Sequence, residues 1–354
     1  MRAAVRKSEK PRCRSACRGN ERRLVTQHPR RRILSLVTGA AALPAVWRTA
    51  WGQAYPSRPI TMVVPFAAGG GTDVVGRILA ERMRTSLGQT VIIENVGGAN
   101  GSIGVGRVAR AAPDGHALIL GAWSTLVANG ALYALPYDVR GDFEPISLVA
   151  SQPYLIVTRK SMPAGDLKGL IGWLKENPDK ASAGTQGVGG SSQIGGVFFQ
   201  NATGTSFRFI PYRGAAPAIQ DMVAGQIDFM VAAMADALEQ VRAGNIKAYA
   251  ITGKRRLTVT GDIPTVDEAG LPGFYFSNWF GFWAPARTQK GIIAKLNSAV
   301  VDTLGDPAVR RRLGDLGQEI FPKDQQTPEA LATLQKAEIE KWWPIIKAAN
   351  IKGE

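Results

Sequence analysis

The sequence has almost none of the residues on which most catalytic and metal chemistry depends. Its 354 residues include two cysteines and two histidines. Cys13, Cys17 and His28 all fall in the N-terminal stretch, so residues 55–354 carry no thiol and one histidine. That part of the chain can form no disulfide, thiolate metal site or cysteine nucleophile. His116 stands in "PDGHALIL", at the entry to an expected strand and opposite the end where ligands bind in open α/β sheets. Ser–His and Cys–His catalysis would both hang on that one badly placed side chain. There is no G-x-x-x-x-G-K-[ST] phosphate loop, no G-x-S-x-G nucleophile elbow and no H-E-x-x-H zinc motif. A G-x-G-x-x-A match at 104–109 lies inside a helical pattern, well past its strand, and is set aside. Asp221, Asp228, Asp236 and Glu239 read as solvated helix faces or caps. No metal site, no cofactor and no catalytic residue is expected.

Charge of one sign dominates only at the front. The formal charge of +15 suggests nucleic acid until the charges are located. Residues 1–54 hold 13 Lys/Arg against two acidic residues, leaving 30 against 26 in residues 55–354. The body is an ordinary soluble balance, and no nucleic-acid partner is expected. The basic runs at 253–256 and 310–312 read as solvated surface or a docking patch. The front itself has the layout of an export signal. In "RRRILSLVTGAAALPAVW", Arg30, Arg31 and Arg32 precede an apolar run, and "WGQA" then supplies the small residues Gly52 and Ala54. A charged region, a short apolar region and a small-x-small site describe a secretory signal cleaved after about Ala54. The run is broken by Pro44 and is too short to span a bilayer comfortably. Its arginine pair fits a twin-arginine signal loosely, with the Sec route also open.

From residue 60 the chain alternates short β-rich runs with helical patterns. "ITMVVPF", "TVIIENV" and "HALILGA" read as strands, separated by helices over 72–87 and 102–111. This βαβαβ order implies a parallel sheet covered by helices. A second alternating set begins near "PYLIVTRK" and runs to "IKAYAITG". The tail, after an aromatic segment, supplies helices around 289–304, 306–316 and 327–349 with one short strand, "QEIFP". Such a tail packs more easily on the first set than as a third domain. The expected organisation is a leader over 1–54, domain 1 from 55–155 plus 277–354, and domain 2 inserted as 156–276. No low-complexity linker or 20–50-residue repeat interrupts it.

Three glycine-rich loops stand at expected strand-to-helix switches. "PFAAGGGTD" places Phe66, Ala67, Ala68, Gly69, Gly70, Gly71, Thr72 and Asp73 after the first strand. Glycine lets a ligand approach the main chain, and a helix start offers free N–H groups that favour an anion. Thr72 fits an N-cap, and Asp73 a first-turn carboxylate that complements the helix dipole. "NVGGANGSIG" follows the second strand. "TQGVGGSSQIGG" brings Gly187, Ser191, Ser192 and Gln193 to a strand end of the second set, where the serines fit caps. Arg213, in "PYRGAAPA", stands at another strand end. Two sets of helix starts facing one cleft suggest an anion clamp.

Those loops occur with "LGQTVIIENVGGANGSIG", "ARAAPDGHALIL", "LPYDVRGDFEPIS", "IPYRGAAPAIQDMVAGQID", "RAGNIKAYAITGKRR", "IPTVDEAGLPGF" and "EIEKWWPIIKAANIK". In that order, across essentially all of 55–354, they resemble the Bug family, periplasmic substrate-binding proteins of tripartite tricarboxylate transporters. The resemblance implies a two-domain Venus flytrap of α/β class, each domain a sheet flanked by helices, with two hinge crossings. It implies a periplasmic location, capture of a small carboxylate by backbone amides and hydroxyls, and integral membrane subunits as partners. A monomer is expected. By matching position it puts residues 66–73 on one side of the ligand and 187–193 on the other, with Ser191 and Ser192 as donors. It also implies that Trp123, Ser124 and Thr125 line the pocket. The chain departs from many relatives at Ala67, where they have proline, and at Gln193, where they have histidine. Ala232 and Ala233 stand where some have a polar or acidic residue. With Trp123, these alanines point to a more apolar pocket, and so to an aromatic or aliphatic carboxylate over citrate. Two other readings stay open: an exported sensor subunit reporting to a membrane receptor, and an exported lyase or hydrolase using Asp73 or Asp236.

Overall fold

The computed structural model describes residues 55–178 and 180–353; the leader, on which the export-signal reading falls, lies outside them. The chain runs β1 (Ile60–Val64), α1 (Gly71–Leu87), β2 (Val91–Asn95), α2 (Ser102–Ala109) and β3 (Ala117–Ala122). A π-helical turn, Ser124–Ala128, then runs into the short α3 (Asn129–Leu132), followed by the long β4 (Phe143–Arg159). The second set is α4 (Leu167–Glu176), β5 (Ser182–Thr185), α5 (Ser191–Thr203), β6 (Arg208–Pro211), α6 (Ala215–Val223), β7 (Phe229–Ala233), α7 (Met234–Arg242) and β8 (Ile246–Ile251). The return is β9 (Ser277–Pro285), α8 (Lys290–Gly305), α9 (Pro307–Asp315), β10 (Glu319–Ile320) and α10 (Pro328–Ala348).

β2, β1 and β3 pair in parallel, as their connecting helices require. β9 then inserts antiparallel between β3 and β4, so the first sheet is mixed rather than wholly parallel. The aromatic run "SNWFGFW" reaches the sheet directly after the second set, with no crossover helix before it. β4 joins both sets. Up to Pro153, opposite Ser277, it pairs with β9; from Tyr154, opposite Ala233, it pairs with β7, and from Leu155 with β8. Pro153 supplies no N–H, so the ladder changes partners where a donor is missing. β5 lies parallel between β7 and β6.

Helix α1 buries Val75, Ile78, Leu79 and Met83 on one face, at the 3.6-residue spacing of its sequence. It ends at Gly88, whose left-handed conformation (φ 68°) lets the "LGQ" turn close it. The C-terminal helices pack back on the first set: α8 lies on α1 and β4, and α10 on β4 and the π-helical turn. Among the described residues, no helix is long and apolar enough to cross a membrane.

Candidate functional site

The first glycine loop leaves the carboxyl end of β1 and is exposed over residues 67–71. Gly70, not Thr72, is the N-cap of α1, and no side chain caps that end; Thr72 already lies in the first turn. The first intrahelical bond runs from the Val74 N–H to the Gly70 carbonyl at 3.0 Å, so the N–H groups of Gly71, Thr72 and Asp73 precede it. Asp73 organises the loop from behind. Its carboxylate is buried, at 1% exposure, and accepts from the Gly69 N–H (2.8 Å), Arg77 Nε (2.9 Å) and Asn95 Nδ2 (2.9 Å). Asn95 also donates to the Phe66 carbonyl at 3.1 Å, tying the end of β2 to the end of β1. Burial alone would raise the Asp73 pKa, but bonds from Arg77, the Gly69 N–H and Asn95 outweigh it and hold the carboxyl below its usual range. Asp73 thus holds the loop together through the bonds its carboxylate accepts.

The second loop, after β2, packs against the first. A Cβ on Gly104 would stand 2.6 Å from the Val96 carbonyl oxygen and 3.1 Å from Pro65 Cα. Only glycine admits that approach. Asn129 fastens this loop from the other side: its amide donates to the Asn100 carbonyl (2.9 Å) and Ser102 Oγ (3.0 Å) and accepts from Asn100 Nδ2 (2.9 Å).

The segment after β3 is core. Trp123 and Thr125 are at 0% exposure and Ser124 is buried. Thr125 Oγ1 accepts from the Ala122 N–H at 3.0 Å, and its hydroxyl lies 3.1 Å from the Ala122 carbonyl. The Trp123 indole packs edge to face on Phe276 and Trp342, while its buried N–H has no hydrogen-bond partner. Most buried donors are paired; this one, at the end of β3, is buried without a partner.

In the second set, Gly190 caps α5, and Ser191 and Ser192 are its first two residues rather than its caps. Ser192 is buried, and its Oγ accepts from the Gln186 N–H at 2.8 Å. Gln193 Oε1 accepts from the Gly189 N–H at 2.7 Å. These bonds fold residues 186–193 into a fixed turn, with Gly187 at φ 120°. A Cβ on Gly189 would meet Leu132 at 3.4 Å, so the turn approaches α3 of the first set. Ser191 is half-buried near the Tyr154 phenol, whose pKa burial raises. Arg213 is exposed beside the same strand ends.

Two residues were missed, and a third was read only as a solvated helix-face charge or as a carboxylate of the enzyme alternative. Asn95 and Tyr154 looked like ordinary strand positions. Asp236 looked like a helix-face charge, yet its Oδ2 accepts from Gln186 Nε2 at 2.6 Å. Of the two alanines, Ala232 is buried in the sheet and Ala233, at the end of β7, is half-buried. His116 lies at the entry to β3, buried against Tyr55 with ring centroids 5.2 Å apart and Nδ1 3.4 Å from Asp114. That is the edge opposite the glycine loops. A surface cavity of about 710 Å³, between Glu144, Gln289 and Pro328, is likewise remote from them.

Two strand sets sharing β4, each with helix starts at its carboxyl edge, are the architecture of a two-domain periplasmic binding protein. The model of the "Tripartite tricarboxylate transporter family receptor" matches residues 75–351, and the chain belongs to that family. It is 40% identical to the solved periplasmic binding protein BugD, with a TM-score of 0.71 over 85% of this chain and 100% of that one. It is 39% identical to MatC (Rpa3494) from Rhodopseudomonas palustris, solved with bound malate, with a TM-score of 0.71 over 82% of this chain and 100% of that one. R. palustris Rpa4515, solved with adipate, is 30% identical, with a TM-score of 0.73 over 84% and 99%.

Proposed function

We propose that this protein is a non-catalytic carrier that captures a small organic carboxylate between two lobes and delivers it to the membrane subunits of a tripartite tricarboxylate transporter. The lobes are residues 55–155 with 277–354, and 156–276. The observation that carries this reading is the pair of helix starts, at Gly71 and Ser191, on the carboxyl edges of strand sets joined by one strand. Each offers N–H groups that precede the first intrahelical bond, and oriented N–H dipoles favour an anion. The Trp123 indole N–H and the Ser191 hydroxyl add donors between them. The malate and adipate held by the relatives are of the class such a clamp suits. Closure is driven by contacts to the ligand from residues 187–193 that exist only in the closed state. His116, on the far edge, takes no part, and the ligand leaves chemically unchanged. The leader is removed on export to the periplasm, where the protein works as a monomer.

A thermal-shift screen tests this reading, with di- and tricarboxylates, aromatic carboxylates and amino acids, and with nucleotides and sugars as controls. A ligand at about 100 times its Kd adds about 2.7 kcal/mol, a visible shift. A carboxylate hit recovered unchanged is the expected result. Stabilisation by a nucleotide or sugar alone would overturn the clamp.

A further inference from the structure

A cavity of about 630 Å³ opens where the two strand sets cross. Small-molecule sites commonly hold about 300–1,000 Å³. Pro153, at which β4 changes partners, stands in its wall with Thr252 and Gly253, just past β8, and Ser277, the first residue of β9. Lys341 and Trp342 of α10 complete it, so the walls come from both sets. None of residues 66–73, 123–125 or 186–193 lines it, which separates it from the glycine loops and the end of β3. The basic run at 253–256 divides here. Arg256 bonds Glu268 at 2.8 Å, while Lys254 and Arg255 line the cavity.

Both carboxylates in the wall are already engaged. Glu319 pairs with Arg255 at 3.1 Å, and Glu338 accepts from the Trp342 indole N–H at 3.0 Å. Among the described residues, Lys254 and Lys341 are in no ion pair. Lys254 Nζ lies 5.1 Å from the ring centroid of Tyr275, and Lys341 Nζ 4.7 Å from that of Trp342. An ammonium held over a ring keeps N–H donors for an anion. Trp279 adds a second indole to the wall; it is 2% exposed, and its buried N–H has no hydrogen-bond partner. The cavity therefore combines aromatic surface with two unpaired ammoniums and an unpaired donor. We infer that it is a second binding site, for an aromatic carboxylate, with the ring against Trp279 and Trp342 and the carboxylate at Lys254 and Lys341. Such a ligand bridges the two strand sets at their crossings. The site goes beyond the carrier reading and does not rest on it.

Calorimetry with 2-naphthoate, and with uncharged 2-naphthamide as its control, tests the site. The carboxylate is expected to bind about tenfold tighter than the amide or more, the scale of one charged hydrogen bond. The double variant Lys254→Met, Lys341→Met keeps both apolar stems at exposed positions. It should weaken 2-naphthoate about tenfold or more, while Lys254→Arg with Lys341→Arg, which keeps both charges, should restore binding to within a few fold. Ser192→Ala, in the turn of the second glycine loop, should leave this binding unchanged. If Ser192→Ala abolishes it, or the methionine variant does not weaken it, the second site is overturned while the carrier reading stands. Equal affinity for the amide overturns it as well, because the charge then plays no part. Absence of any 2-naphthoate binding also overturns it, and leaves the carrier reading to the thermal-shift screen.

Discussion

The indole of Trp123 meets the ring of Phe276 edge to face, with centroids 5.3 Å apart and planes at 89°. Trp123 follows β3, in the first strand set. Phe276 precedes β9 and lies against Tyr154, where β4 changes partners. Trp342 of α10 closes the group, 5.3 Å from Trp123 and 5.2 Å from Phe276. Edge-to-face pairs of this kind add about 0.5–1.5 kcal/mol beyond their buried area. The cluster therefore ties the two sets together at their crossings and places the unpartnered Trp123 N–H beside them.

Trp123→Phe separates that donor from its ring. Losing a buried, unpaired N–H relieves a desolvation cost of about 1–3 kcal/mol, offset by the smaller ring's lost packing. Little change in melting temperature is expected, with carboxylate affinity about tenfold weaker or more. Unaltered affinity in calorimetry would take the indole out of the site.

Ser192→Ala strips the buried acceptor from the half-buried Gln186 N–H. An unsatisfied buried donor costs about 1–3 kcal/mol, and residues 186–193 loosen. Carboxylate affinity should fall tenfold or more, with most of the loss in the dissociation rate, because the closed state loses its fixed turn. Stopped-flow binding distinguishes this from a slower association.

Gly104→Ala sets two rules against each other. Replacing glycine in a helix interior ordinarily stabilises by up to about 1 kcal/mol. Here the new Cβ would press on the backbone of Val96 and Pro65, which cannot swing aside as a side chain would. We expect a net loss of about 1–3 kcal/mol, visible in the urea midpoint. A gain would show that the two glycine loops are not locked together.

Asp73→Asn tests the loop's scaffold through pH. A carboxyl whose pKa is depressed on folding stabilises the native state above its ordinary pKa, and that contribution disappears as pH falls through the depressed value. The variant should be less stable near neutral pH by about 1–3 kcal/mol. Arg77 is half exposed, so its share is small. In strong acid the two proteins should converge, and parallel stability curves would contradict the assignment.

Much of the fold was legible because it is written in local pattern. The apolar spacing of Val75, Ile78, Leu79 and Met83 specified one face of α1, and "VIIEN" between turn residues specified β2. The loop at 66–73 announced a helix start because glycines at a strand end leave the main chain open. The antiparallel insertion of β9 was not legible, since an aromatic strand reads the same in either direction. Nor was the partner change of β4 at Pro153, which depends on segments more than 70 residues away.

The sequence by itself determined the alternation of strands and helices, the glycine loops and the scarcity of catalytic side chains. Each depends on residues close together in the chain. Only the tertiary structure decided what the polar side chains do. Asp73 turned inward because Gly69, Arg77 and Asn95 meet it, and Asp236, in the first turn of α7, accepts a bond from Gln186, 50 residues away. A carboxylate's role follows from the donors folding brings to it, and no local pattern records those.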